Sequence, residues 1–404
     1  MNIVKKLLLK QRKKLLNPVL SQMDRLIFLT EKIDEFLSEY IAQIEKNNTG
    51  ISSTTKPTLA YQLSNNTIIG NEKLAITKVS GREKSFFWVT RMESKDPISE
   101  DARNGLVDIN EELKGFFPKN SIFMDIGANI GAFCLSYAAD GWTGYAIEAS
   151  SNNANILRAS IMLNDFDIVL CEKAVYDKTG DIYFFQSGPY GFVKNSVTQG
   201  NYEKIECICL DDYKDTILKD ITHIDLIKMD IEGSELAAIR GMKKFLQNIN
   251  YPPIFMERNL HCLNWQNETS VSFFREMNML GYRPYCLEGA NLREQNPADF
   301  PIIVCTDFLF IKEMSLNFSG EILPPEKQDK EATLSFIISK LDEIVDGNLL
   351  DLCAYVCSNL KDYPQYTAIS EVKERLEKII IKSRDADPYV QSVIAWYKAE
   401  NKQN

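Results

Sequence analysis

Between residues 122 and 311, short apolar runs alternate with stretches in which apolar residues recur every three or four positions. The runs at 122–126, 144–147, 168–174, 226–229, 254–256 and 308–311 predict strands buried on both faces, because a strand with one wet face would alternate polar and apolar residues. The stretches at 134–139, 154–163, 235–246 and 270–280 predict helices. Helices placed between doubly buried strands predict a doubly wound α/β domain around a parallel sheet. Upstream, 86–89 reads as a short strand and 108–117 as a helix leading into the domain.

The two ends of the chain follow another period. Val19, Met23, Leu26, Ile33, Leu37, Tyr40 and Ile44 fall at heptad spacing with Thr30 as a polar member. That spacing predicts a long helix, either pairing two copies as a coiled coil or docked on its own domain. A linker rich in Asn, Gly, Ser and Thr follows at 47–57. Beyond Pro324-Pro325 the apolar positions predict helices around Leu334 to Ile344, Leu349 to Leu360 and Ile369 to Ile379, and a last one from Asp387-Pro388. The chain thus divides into a helical arm over 1–50, an α/β domain over 58–318 and an all-α module over 326–404.

Composition narrows the classes. Of 404 residues 45% are hydrophobic and 25% charged, the proportions of a folded globular protein. The formal net charge is -10, which offers nucleic acid no attraction; no nucleic-acid partner is expected. Residues 1–16 carry +6, leaving -16 on the remainder, and their cations lie among leucines. Such an arm suits peripheral contact with an anionic membrane, and the heptad helix over 19–44 suits a homo-oligomer. Nine cysteines without a CxxC predict reduced thiols. With no apolar run of signal-peptide or spanning length, the expected location is cytoplasmic, at most peripheral on the inner face of the membrane.

The first candidate site is Met124 to Phe133, between a predicted strand and helix. Gly127 and Gly131 allow a sharp turn and close backbone approach, and the amides opening the helix supply donors for a nucleotide-like cofactor. Glu148 ends the next strand, where a carboxylate can accept ribose hydroxyls. Asp125 precedes the loop and is placed to hold an amino group. Asn129 stands where a dinucleotide fingerprint has its middle glycine, which weighs against an NAD-linked oxidoreductase.

The second is Ile224 to Glu235, whose strand delivers Asp230 and Glu232 to the carboxyl edge of the sheet. Acids so crowded repel one another unless they serve a ligand, a metal or a base; a solvated turn is the alternative.

Together these motifs resemble the FkbM family of S-adenosylmethionine-dependent methyltransferases. The family's Asp-Ile-Gly-Ala-Asn-x-Gly loop is matched at Asp125 to Gly131, its Ile-Glu at Ile147-Glu148, and its Ala-Val at Ala174-Val175 with Asp177 and Gly180 following. Its Leu-Asp-Asp falls at Leu210 to Asp212, its Asp-x-Ile-Lys-x-Asp-x-Glu-Gly-x-Glu signature at 225–235, and a strand-closing acid at Glu257. The likeness spans 116–311; Ala149 departs from a common proline, and the helical ends lie outside it.

The resemblance implies a class I, Rossmann-like methyltransferase sheet that binds S-adenosylmethionine through Asp125, Gly127, Asn129, Gly131, Glu148 and Ala174. It also implies O-methylation of a sugar or glycan acceptor, as in bacterial polysaccharide or glycoside synthesis. A cofactor-binding scaffold without catalysis is the rival. A sugar hydroxyl is a weak acid, so a base or a divalent metal must assist. Asp230 is the first candidate for either role, with Glu232, Glu257 and His261 beside it. Tyr190, flanked by turn formers in an aromatic segment, is a candidate for stacking on the acceptor.

Overall fold

The computed structural model describes residues 60–62, 68–69, 72–80, 84–92, 97–103, 111–187, 190–194, 202–312, 320–345 and 350–382. The basic arm, the heptad helix, the linker and the helix expected from Asp387 lie outside them.

The strands are β1 Ala60–Gln62, β2 Ile68–Ile69, β3 Glu72–Ser80, β4 Ser85–Arg91, β5 Ile122–Ile126, β6 Thr143–Ile147, β7 Ile168–Cys171, β8 Ala174–Val175 and β9 Gly180–Ser187. They continue with β10 Tyr190–Lys194, β11 Glu203–Ile208, β12 Leu226–Met229, β13 Ile254–Asn259, β14 Arg283–Glu288, β15 Asn291–Glu294, β16 Cys305–Ile311 and β17 Ile322–Leu323. The main sheet runs in the order β17-β15-β14-β16-β13-β12-β5-β6-β7. From β7 to β13 neighbouring strands are parallel, and β16 enters antiparallel between β13 and β14.

Both faces of this sheet are covered, as the unbroken apolar runs predict. Phe123, Leu226 and Phe255 pack with the helices Ala132–Ala139 and Ser151–Asn164. Their strand neighbours Met124, Ile227 and Met256 pack on the other side with Glu235–Arg240, Lys243–Asn248 and Ser270–Met279. The expected strand at 86–89 is β4. It leans on the helix Ser151–Asn164, where the Asn164 side chain accepts from Phe87 N–H at 2.7 Å and donates to Phe87 O at 2.6 Å.

Two expected elements are each divided. The run at 168–174 splits into β7 and β8 because Glu172 and Lys173 interrupt it; β8 leaves for a second sheet beside β11, where Lys173 pairs with Glu206. The helix at 235–246 breaks at Gly241. A Cβ there would meet Tyr176 O at 2.3 Å, and Gly241 O accepts from Asp211 N–H at 2.8 Å.

At the C-terminal end, Lys330–Val345, Leu350–Leu360 and Ser370–Lys382 are helices, with a short Pro364–Thr367 between the last two. They are not detached. Their core takes in Leu260 and Phe300, Thr269 Oγ1 donates to Asp362 Oδ2 at 2.6 Å, and Ser270 N–H to Asn359 Oδ1 at 3.0 Å. No helix among the described residues is long and apolar enough to cross a membrane.

Candidate active site

Strand order reverses between β5 and β12: from β5 the chain moves outward to β6 and β7, and from β12 the other way to β13. Doubly wound sheets open a crevice at such a point, outside the carboxyl ends of the strands. Here it is a cavity of about 440 Å³, of a size that suits a small molecule.

The glycine loop forms one wall. Gly127, Asn129 and Gly131 all take positive φ, and the amides of Gly127 and Ala128 donate to Ile147 O at 2.9 and 3.0 Å, tying the loop to the end of β6. Gly127 has φ +82°, and a Cβ there would lie 1.9 Å from Asp230 O. The two sequence motifs therefore touch backbone to backbone, which only glycine permits. Gly131 is not on the lining; a Cβ there would collide with Leu157 and Leu135, so it serves the packing of the next helix.

Glu148 lines the cavity beside Asn129, Ala149 and Ala174. Its Oε2 accepts from Asn129 N–H at 2.8 Å, and its Oε1 from Ser150 N–H at 2.8 Å and Asn153 Nδ2 at 3.4 Å. Burial raises its pKa, and these bonds oppose the rise. A carboxylate offers about four acceptor positions, so Oε2 has room for a ligand hydroxyl. Asn153, also on the lining, is held by Arg91 Nη2 at 2.6 Å.

Asp125 is wholly buried and is not among the residues that line the cavity. Lys228 stands between it and Asp230: its Nζ lies 3.5 Å from Asp125 Oδ1, 3.5 Å from Asp230 Oδ2 and 3.2 Å from Gly127 O. Burial works against the lysine's charge, but Asp125 and Asp230 hold its pKa above the usual range. Burial likewise raises Asp125, with Lys228 opposing.

The far wall gathers Asp230, Glu232, Glu257 and Asp307. Glu257 faces Asp307 directly across the β13–β16 pair. Burial pushes the Glu257 carboxyl up to about 7, and Asp230 adds to the rise. Glu232 and Asp307 are raised by the same causes in the same order. Thiols contact two of the four: Cys262 Sγ donates to Glu232 Oε2 at 3.2 Å and Cys305 Sγ to Glu257 Oε1 at 2.9 Å. Behind them Glu235 Oε1 accepts from Ile231 and Gly233 N–H at 2.9 and 3.3 Å, fastening the turn that carries Asp230 and Glu232. Its own carboxyl is pushed by burial up to about 8.

Two further expectations find no support among the described residues. No group of three or more His, Cys, Asp or Glu among the described residues is arranged to hold a metal ion, and Asp230 pairs instead with Lys228. His261 is off the lining: the helix Leu260–Trp265 starts directly after β13 and sets its ring edge-on to Tyr355, centroids 5.1 Å apart.

Phe184, Gly191, Phe192 and Val193 of the β9–β10 hairpin line the cavity as well, together with Trp88, Ile98 and Asp101. Phe192 also meets Phe185 and Trp265 at ring distances of 5.2 and 5.5 Å. Tyr190 starts β10, but its side chain lies outside the described residues.

Residues 125–284 match the model of the methyltransferase FkbM domain. The chain carries an FkbM methyltransferase domain. The match begins at Asp125 and ends in β14, and so spans the glycine loop, Glu148 and the acids Asp230, Glu232 and Glu257. The matched domain is that of a methyltransferase.

Among solved structures, M. jannaschii TYW2 in complex with AdoMet is 13% identical, the match covering 61% of this chain and 90% of that one with TM-score 0.29. The Methanococcus jannaschii fibrillarin pre-rRNA processing protein is 12% identical over 65% and 97% of the two chains, TM-score 0.32. Precorrin-6y C5,15-methyltransferase from Geobacter metallireducens GS-15 is 11% identical over 48% and 79%, TM-score 0.28. No curated protein matches the chain. The strand order and the crevice at its reversal are what make the FkbM domain Rossmann-like.

The cavity's residues fit the cofactor. Gly127, Ala128 and Asn129 of the glycine loop bring its backbone to the lining, Glu148 keeps an acceptor position open, and Ile147, Ala149, Ala174, Val175 and Phe192 provide an apolar surround.

Proposed function

We propose that the FkbM domain methylates a hydroxyl group on an uncharged, polyhydroxylated ring, a sugar or glycan acceptor, with Glu257 as the base. The observation that carries this reading is the set of four carboxylates, Asp230, Glu232, Glu257 and Asp307, on the cavity lining near aromatic rings, while the lining lysines are paired, Lys228 with Asp125 and Asp230 and Lys173 with Glu206. Such a wall repels phosphate and carboxylate groups and accepts hydrogen bonds from hydroxyls. Phe184 and Phe192 suit the apolar face of a sugar ring.

S-adenosylmethionine, when bound, supplies a methyl group on a sulfonium, whose C–S bond breaks as the acceptor oxygen forms its new bond to carbon. Glu257 takes the hydroxyl proton as that bond forms, and its pKa of about 7 places a competent base at neutral pH. Glu257 is preferred to Asp230 because Asp230 is engaged with Lys228. Asp230 and Glu232 then orient neighbouring hydroxyls. We also propose that the arm over 1–16 rests on an anionic membrane surface and that the helix over 19–44 pairs two copies, which would place the domain near membrane-bound steps of polysaccharide synthesis.

The test supplies a ¹³C-methyl donor and a panel of neutral oligosaccharides. The expected product carries a new methyl ether carbon, and Glu257→Gln lowers turnover by a factor on the order of a hundred. Methyl transfer to nitrogen, or to anionic acceptors alone, would overturn the reading.

A further inference from the structure

β13 and β16 are antiparallel neighbours, with Glu257 opposite Asp307 and Asn259 opposite Cys305. Residues two apart on a strand share a face, so Cys305 and Asp307 rise on the same side of the sheet as Glu257. From there the Cys305 Sγ donates to Glu257 Oε1 at 2.9 Å. Cys262 makes the same kind of contact with Glu232. The methyl-transfer chemistry described above uses neither thiol.

Cys305 is an exposed residue whose thiol is only partly desolvated; that desolvation raises its pKa above the usual range, and Glu257 beside it adds to the rise. It is therefore a hydrogen-bond donor and a poor nucleophile. The groups facing Glu257 are Asp230 and Glu232 from the turn after β12, and Asp307 and Cys305 from β16. Lys228, on the adjacent β12, is engaged by Asp125 and Asp230. Of the four groups that face Glu257, the three carboxylates disfavour its charge and the thiol alone favours it.

We propose that Cys305 is a positioning residue for methyl transfer: its thiol holds Oε1 of Glu257 and leaves Oε2 to take the acceptor's proton. A serine hydroxyl can donate from the same place, so Cys305→Ser keeps the bond that Cys305→Ala removes. The inference rests on Glu257 being the base, but its test needs no acceptor.

The full chain is labelled with ¹³C at glutamate side-chain carboxyls, and the Glu257 signal is identified as the one missing from Glu257→Gln. The expected midpoint is about pH 7 in the parent chain. It rises by roughly half a pH unit or more in Cys305→Ala and returns towards the parent value in Cys305→Ser, since a lost donor to the charged form raises a carboxyl pKa. Equal midpoints in the parent and Cys305→Ala, or equal shifts in both variants, would overturn the proposal.

Should Cys305→Ala fail to fold, alkylation of Cys305 by iodoacetamide, read by peptide mass, decides. The expected rate at pH 8 is several-fold faster in Glu257→Gln than in the parent, because the neighbouring charge that keeps the thiol protonated is gone. Equal rates would overturn the pairing. Failure of the base role would show separately, as full turnover in Glu257→Gln.

Discussion

Glu257 and Asp230 divide the work of the acid wall by their neighbours. Asp230 faces an ammonium at 3.5 Å, whereas Glu257 is surrounded by carboxylates and one thiol, and burial lifts it to about 7. A base must be unprotonated to act, so kcat/KM for methyl transfer should rise with pH through a midpoint of about 7 and level off above it. A rate–pH profile that is flat across that midpoint would remove Glu257 from the role. Gly127, Glu148 and Asp230 were legible in the sequence because each directly follows the last residue of a strand, and Glu232 and Glu257 because they lie in the turn after β12 and in the carboxyl-terminal half of β13. Asp307 and Lys228 were not. Asp307 reaches the wall from an antiparallel strand entered from the other end, and Lys228 sits inside an apolar run where a lysine has no evident task. That Asp125 is fully buried and off the lining was not legible either, because its position in the chain shows only that it lies near a strand end.

At the scale of elements, two turns hold the site together, and each depends on one residue. Gly127→Ala puts a methyl group against Asp230 O and demands a left-handed backbone, a cost of roughly 1–3 kcal/mol or more. We expect a folded protein by circular dichroism whose affinity for S-adenosylhomocysteine falls at least about tenfold; parent affinity would show that the loop tolerates the shift. Glu235 fastens the second turn from a buried position. Its folded pKa of about 8 exceeds the ordinary carboxylate value of 4.5, so the stability it contributes is full below about pH 4.5 and is lost as pH rises through about 8. Glu235→Gln keeps an acceptor without the charge. It should melt above the parent at about pH 9, with the gap closing towards about pH 4; an unchanging gap would mean that the charge is not the cause. Helix and strand types followed from periodicity, but the break at Gly241 did not, since it depends on Tyr176 and Asp211, distant in sequence, whereas the division of 168–174 was already marked by Glu172 and Lys173.

For the whole molecule, the expectation of a separate C-terminal module meets a shared core. The helices bury Leu260 and Phe300, and Tyr363 Oη donates to Asp299 O at 2.9 Å. Calorimetry should therefore show the α/β domain and these helices melting in one transition, and two well-separated transitions would show independent units. Hydrophobic period told where the helices are but not that their outer faces meet the sheet domain, because an amphipathic stripe does not name its partner. The central claim is that the crevice between β5 and β12 is built for S-adenosylmethionine. Titration calorimetry of the full chain with S-adenosylhomocysteine and, separately, with NAD tests it most directly. The account predicts one S-adenosylhomocysteine site per chain, weakened about tenfold or more in Glu148→Ala by loss of a charge-assisted hydrogen bond worth roughly 1.5–3 kcal/mol, and no uptake of NAD. Binding of NAD, or S-adenosylhomocysteine affinity unchanged in Glu148→Ala, would contradict it.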